Sequence, residues 1–98
     1  MTDQTISFEY EGRKIAVSAK VCNNFLTRGV GKMFSLSRKP LLFVFDREQE
    51  VWIHMHFVFM PLLVVWLDKD MKPVKMKTMK PFISIGHGRA KYVLEIPQ

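Results

Sequence analysis

The chain has 98 residues, and its length, composition and charge restrict the classes of protein to which it can belong. Hydrophobic residues make up 48% of it, which supplies one core, predicts a single domain over residues 1–98 and argues against disorder. The net charge of +6 favours acidic partners. With Cys22 as its one cysteine and no apolar signal segment at the N-terminus, we expect a cytoplasmic protein without disulfides.

The first two elements are predicted to be strands joined by a tight turn. Apolar and polar residues alternate over Thr5–Tyr10 and again over Arg13–Ala19, as they do in half-buried strands. Glu11-Gly12 between them is typical of a turn. The sequence therefore predicts a β-hairpin at the N-terminus.

One short helix is predicted near residues 22–32. Asn23 or Asn24 can cap its first turn, and apolar residues then recur every three to four positions. Glycines at 29 and 31 weaken a helix and predict an early end. Arg28 on this element could hold an anion, with a salt bridge or a loop-closing hydrogen bond as the structural alternatives.

The most apolar stretch of the chain is residues 51–68, and three structures compete for it. A membrane-spanning helix needs about 20 apolar residues and would have to carry two histidines and a proline. A buried helix would be broken by Pro61. Two buried strands, about 51–59 and 62–67, agree best with the valines and with a break at that proline.

A second short apolar run, Leu41–Phe45, is predicted to be a buried strand. The charged residues Asp46–Glu50 separate it from the central stretch. We therefore predict that Leu41–Phe45 and Val51–Phe57 pair as an antiparallel hairpin with the charged residues in its turn.

On a strand, Trp52, His54 and His56 would share one face. Two histidines at this spacing can bind a metal ion, with His87 as a third ligand. No H-E-x-x-H motif and no cysteine pair accompanies them, so we predict neither a metal nor another cofactor, and expect ordinary hydrogen bonds from the histidines. The candidate ligand-binding residues are Arg28, Trp52, His54 and His56.

Positive charge is concentrated in residues 69–91, which hold seven basic residues and one acid. Residues 72–80 alternate as an exposed strand with lysines on one side, a common guard for a sheet edge. The predicted basic surface consists of Lys72, Lys75, Lys77, Lys80 and Arg89. A solvated face that keeps the protein soluble is the simpler interpretation of the same residues.

Residues 86–90, GHGRA, are predicted to form a flexible turn. They could cradle a phosphate but do not match a P-loop. Lys91–Ile96 closes the chain as a strand.

Several segments, taken in order, are similar to one family. Residues 53–61, IHMHFVFMP, are similar to an I-H-M-x-F-V-x-x-P pattern, and residues 64–68 and 91–97 are similar to V-x-x-L-D and A-x-Y-V-L-E-x-P. The chain resembles domain-of-unknown-function family 192 in its compact archaeal stand-alone form. The resemblance implies a β-rich domain with one short helix and no established activity. Leu63 stands where the family often has an acid, which weakens any acid-dependent chemistry.

Together these patterns predict an α+β domain that is mostly β, with a curved or barrel-like sheet and one short helix. We expect a non-enzymatic binding or interaction module whose basic edge meets a protein or another acidic ligand. A small-ligand or metal-binding pocket on His54 and His56, with possible enzymatic activity, is the alternative. Nucleic acid is less favoured because the aromatic residues do not interleave with the lysines along the chain. A monomer and a homodimer are both open.

Overall fold

The computed structural model of the chain describes residues 3–22, 39–55 and 60–98, and these residues form one six-stranded sheet. Its strands follow the order β1-β2-β3-β6-β4-β5, with β2 and β3 parallel and every other pair antiparallel. The six strands are β1 (Asp3–Tyr10), β2 (Arg13–Cys22), β3 (Leu41–His54), β4 (Leu62–Leu67), β5 (Pro73–Met79) and β6 (Ile85–Pro97).

The predicted N-terminal hairpin is confirmed. Strands β1 and β2 pair antiparallel from Asp3 opposite Lys20 to Tyr10 opposite Arg13. Glu11 and Gly12 make the two-residue turn with φ angles of 51° and 76°. Left-handed backbone at both positions gives the turn a twist that matches the strands on either side.

The α+β prediction is wrong for the part of the chain that is described, because all of its regular elements are strands. Cys22, where the predicted helix near 22–32 would begin, is the last residue of β2. Lys20–Cys22 continue as a strand because they pair in parallel with Leu41–Phe43 of β3. Residues 23–32, with Arg28, lie outside the described residues. The described sheet is also open rather than barrel-like, with β1 and β5 as its outer strands.

The predicted hairpin between Leu41–Phe45 and Val51–Phe57 is wrong as well. Both apolar runs belong to one 14-residue strand, β3, and both pair with β6. The charged segment Asp46–Glu50 continues the strand, and the pairing register shifts between Val44 and Gln49. A bulge of this kind bends a strand without ending it. The segment also lacks the glycine, proline or asparagine that tight turns favour.

Strand β4 begins directly after Pro61, as predicted, and contributes side chains to both faces of the sheet. Val64 and Trp66 enter one apolar cluster, together with residues from β3, β5 and β6. Val65 and Leu67 enter a second cluster on the opposite face, with Ile6 and other residues of the N-terminal hairpin. Burial on both faces explains why this strand is apolar throughout instead of alternating.

Residues 86–90 are not a turn, although glycines flank His87. They are the first half of β6, paired with Glu50–Ile53 and neighbouring residues of β3. Across the described ranges, the chain contains no helix with the length and apolar character needed to cross a membrane.

Candidate functional site

The C-terminal end of β3 and the N-terminal half of β6 pair with each other beyond the part of β6 that pairs with β4. One face of this pair carries polar and aromatic side chains, and we call it the outer face. Glu50 and Trp52 of β3 stand opposite Arg89 and His87 of β6, and His54 stands opposite Ile85. Since side chains alternate along a strand, Glu50 and Trp52 share one face with Ile85, His87 and Arg89, while the residues between them point the other way. Val51 and Ile53 accordingly join the apolar cluster on the inner face.

Trp52 and His87 form a stacked aromatic pair on this outer face. Their ring centroids are 4.3 Å apart and the planes differ by 22°. Trp52 nevertheless remains 63% exposed, far above what is usual for so large an apolar side chain. The Glu50 carboxylate contacts Nδ1 of His87 and thereby orients the imidazole.

The inner face beneath this pair is shaped by Trp66, which is completely buried. Its indole lies against Gly86 and Gly88 so closely that an added Cβ at either position would stand 3.0 Å from a Trp66 ring atom and would require the ring to move. The indole Nε1 donates a hydrogen bond to the Val51 carbonyl, 3.1 Å away. The two glycines therefore allow close packing of a strand on a tryptophan, which is one of the reasons for glycine inside a strand.

Two lysines of β5 reach across to the edge of β6. Lys75 Nζ donates to the His87 carbonyl at 2.6 Å, and Lys77 Nζ donates to the Ile85 carbonyl at 2.9 Å. Lys75 also stands 5.4 Å from the Trp66 ring centroid, in cation–π range. Carbonyls two residues apart on a strand are about 7 Å apart, so the two ammonium groups are held at about that spacing.

We call this region the Trp52 surface; it comprises Trp52, His87, Ile85 and Arg89 with the ammonium groups of Lys75 and Lys77. It unites three of the five residues of the predicted basic surface. Lys72 and Lys80 flank β5 at opposite ends, about 27 Å apart along an extended chain. They therefore cannot act at one small site, and the basic residues that the sequence grouped together divide into a central set and two outlying lysines.

The remaining predicted ligand residues do not extend this site. Arg28 and His56 lie outside the described residues. His54 is the last residue of β3, and only its backbone is described. Within the described ranges, the titratable and thiol side chains do not assemble into a group of three or more that could hold a metal ion.

A shallow cleft of about 360 Å³ adjoins the Trp52 surface. Its acidic side chains serve the local backbone: Glu48 accepts from the Lys69 amide, and Asp68 accepts from the amides of Asp70 and Lys72. These bonds hold the turn between β4 and β5. Lys75 and Arg89 therefore line the cleft with positive charge, while its two acidic side chains are hydrogen-bonded to the turn.

Sequence reasoning missed Glu50 and Ile85 as neighbours of the predicted residues. A turn is predicted at Glu50, although this residue alternates with Trp52 and so shares its face. The pattern Ile85-Gly86-His87-Gly88-Arg89 contained a signal as well. Small residues at every second position predict one crowded face, with the large side chains on the other.

Residues 6–98 match the model of family DUF192, which is described as Uncharacterized ACR. The chain belongs to this family. Archaeal UPF0127 proteins are similar to it along most of its length. The protein from Pyrococcus horikoshii is 32% identical over 82 residues, which cover 81% of this chain and 71% of that protein. The protein from Pyrococcus furiosus is 29% identical over 91 residues, which cover 90% of this chain and 78% of that protein.

Two bacterial crystal structures share the fold of this DUF192 chain. One, from Sinorhizobium meliloti, is described as a candidate transcription regulator; its TM-score is 0.82 at 19% identity, covering 97% of this chain and 79% of that chain. The other, a protein of unknown function from Novosphingobium aromaticivorans, has a TM-score of 0.80 at 14% identity, with coverage of 97% and 73%. The family description assigns no function, and likeness at this level of identity shows the fold alone.

Proposed function

We propose that this DUF192 protein is a non-enzymatic binding module that recognises an acidic partner through the Trp52 surface. The observation that carries the proposal is the exposed stack of Trp52 on His87, bordered by the ammonium groups of Lys75 and Lys77. Tryptophan and arginine are enriched among the residues that dominate binding energy. Exposed aromatic area beside fixed cations is costly to leave in water and useful to a partner that is both anionic and partly apolar.

The charge of the whole chain supports the same proposal. A net charge of +6 attracts polyanions over distances of about a Debye length and raises the rate of encounter. The ammonium groups add directed contacts. Each ammonium group has three donors, of which one is used on a β6 carbonyl, so two remain for a ligand.

A binding role agrees better with this surface than catalysis does. Glu50 and His87 form a carboxylate–imidazole contact of the kind that orients a general base. Both side chains are nevertheless about half exposed, on an open sheet face. Catalytic sites usually exclude water from such a pair, and within the described residues no serine, threonine or cysteine is hydrogen-bonded to His87. We also propose the cytoplasm as the compartment, since a chain with a single cysteine suits a reducing environment.

Amide NMR spectra of the labelled protein, titrated separately with a decaglutamate peptide and with a ten-nucleotide oligothymidylate, test the proposal. We expect at least one polyanion to shift the Trp52 indole signal and the amides of residues 85–89. The Trp66 indole should stay in place because it is buried and bonded to Val51. If neither polyanion moves these signals at physiological salt, or if the shifts lie on β1 and β2, the proposed function is wrong.

A further inference from the structure

We infer that the acidic partner of the Trp52 surface is a single-stranded nucleic acid, an inference that rests on the proposed function above. Two aromatic rings lie side by side on neighbouring strands. Trp52 on β3 and His87 on β6 are direct cross-strand neighbours, and both project from a solvent-facing sheet face. Sheets that bind single strands place aromatic side chains on adjacent strands in this manner, so that bases stack on them.

The stack leaves an aromatic face available. His87 covers one side of the Trp52 ring, yet the tryptophan is still 63% exposed, so a large part of its surface meets solvent. A base could continue the stack on that surface. Stacking needs a flat π-face and little else, which makes it tolerant of base identity. The site should therefore bind many sequences with similar affinity.

The cations have the right position for a phosphate backbone. The ammonium groups of Lys75 and Lys77 bond to the carbonyls of His87 and Ile85 and thus lie along the edge of β6, beside the aromatic pair. A strand running parallel to β6 can place phosphates along this lysine edge and turn its bases inward over His87 and Trp52. Glu50 is an acid beside this surface, and its carboxylate contacts the His87 imidazole.

The sequence disfavours nucleic acid because aromatic residues and lysines do not interleave along the chain, but the fold brings them together. Along the chain, Trp52 lies in an apolar run and the lysines lie more than 20 residues later, so aromatics and cations are separate in the sequence. Pairing of β3 with β6 brings Trp52 opposite His87, and the reach of β5 lysines across to β6 completes the group. Lys75 and Lys77 leave β5 on the Trp66 face, and their ammonium groups reach the edge of the strand that carries His87. The cations therefore border the aromatic pair in space, as a single-strand platform requires.

A duplex and an acidic peptide suit this surface less well. The bases of a duplex are stacked on one another and offer no free faces to Trp52, and a sheet face this exposed does not enter a groove as a helix does. A peptide of acidic residues alone could use the lysines but has no flat ring that would stack on Trp52. A single-stranded nucleic acid is thus distinguished from the other two ligands by an affinity that depends on both Trp52 and the lysines.

Fluorescence anisotropy with a labelled 15-nucleotide oligothymidylate tests the inference in the full chain. We expect Trp52→Ala to weaken binding about 10-fold or more, since stacking contributes strongly per base. Replacing both Lys75 and Lys77 by Met should reduce the slope of log K against log salt by about 1.4, at about 0.7 for each lost phosphate contact. Lys72→Met, just before β5 and without a bond from its ammonium group to β6, is the matched control and should change the slope little.

Two further ligands distinguish failure of this inference from failure of the proposed function. The same titrations are run with a duplex of equal length and with decaglutamate, and circular dichroism first confirms that each variant is folded at the assay temperature. Binding of decaglutamate without oligothymidylate, or equal binding of duplex and single strand without dependence on Trp52, would overturn this inference and leave the proposed function standing. Binding of no polyanion at all would overturn both. Intrinsic fluorescence gives a second readout, because a stacked base should quench exposed Trp52 and spare buried Trp66.

Discussion

The packing of Trp66 on two glycines predicts which substitutions the sheet can tolerate. An added Cβ at Gly88 would meet three ring atoms of Trp66, Cγ, Cδ1 and Cδ2, at 3.0, 3.1 and 3.4 Å. An added Cβ at Gly86 would meet Cη2 at 3.0 Å, with its next contacts at 3.5 Å. Both distances require Trp66 to move by a few tenths of an ångström, and a fully buried side chain has little room to do so.

The cost follows from the number of crowded atoms. Overpacking in a dense core costs about 1–3 kcal/mol, against which alanine gains about 0.5–1 kcal/mol over glycine in backbone entropy. We therefore expect Gly88→Ala to lower the free energy of unfolding by about 1–2 kcal/mol. Gly86→Ala should cost less, about 1 kcal/mol or below. If the indole is displaced far enough to lose its bond to Val51, Gly88→Ala loses about 1 kcal/mol more.

The background variant Trp66→Phe makes the reasoning refutable. Phenylalanine lacks the atoms Cη2 and Cζ2 that crowd Gly86, but keeps counterparts of the three atoms that crowd Gly88. The penalty of Gly86→Ala should therefore disappear in this background, while that of Gly88→Ala should persist. Urea denaturation followed by circular dichroism measures all six proteins. A Gly86→Ala penalty that is equal in both backgrounds, or a Gly88→Ala protein as stable as its parent, would refute the packing argument.

Two other predictions concern the neighbouring strands. Lys75→Met and Lys77→Met should each lower the free energy of unfolding by about 0.5–1 kcal/mol, because each lysine satisfies a β6 carbonyl, whereas Lys72→Met should leave it unchanged in the same denaturation assay. Leu63→Asp, which introduces the acid of the family pattern, should cost about 2–3 kcal/mol, since Leu63 is half-buried against an apolar cluster and a carboxylate there loses solvent. Leu63→Asn is the uncharged control, and an aspartate variant as stable as the wild type would contradict this account.

Local patterns in the sequence were sufficient for the elements that depend on near neighbours. The hairpin of β1 and β2 follows from alternation and from a two-residue turn, both of which are readable along the chain. The start of β4 after Pro61 follows from the missing donor of proline. The family resemblance was also readable, because the order of short motifs survives without knowledge of the fold.

Strand continuity was harder to predict. Asp46–Glu50 has the charged composition of a turn, yet it continues β3 because a bulge and pairing with β6 support extended backbone there. Residues 86–90 have the glycines of a turn, yet those glycines serve a strand that packs on Trp66. In both cases a residue type that is common in turns lies in a strand instead, because it contacts a partner that is distant in the sequence: β6 for the charged residues and Trp66 for the glycines.

The sequence by itself determined that this protein has an apolar core, a β-rich fold and an excess of positive charge. Those properties depend on composition and on two-residue periodicity, which need no partner. The tertiary structure alone decided which cations share a site and which aromatic ring accompanies them. Trp52, Lys75 and His87 are separated by more than 10 residues along the chain, and they meet because β3 pairs with one edge of β6 and the β5 lysines reach the other. Long-range pairing of this kind leaves no local mark, so the site could be identified only after the strands were placed.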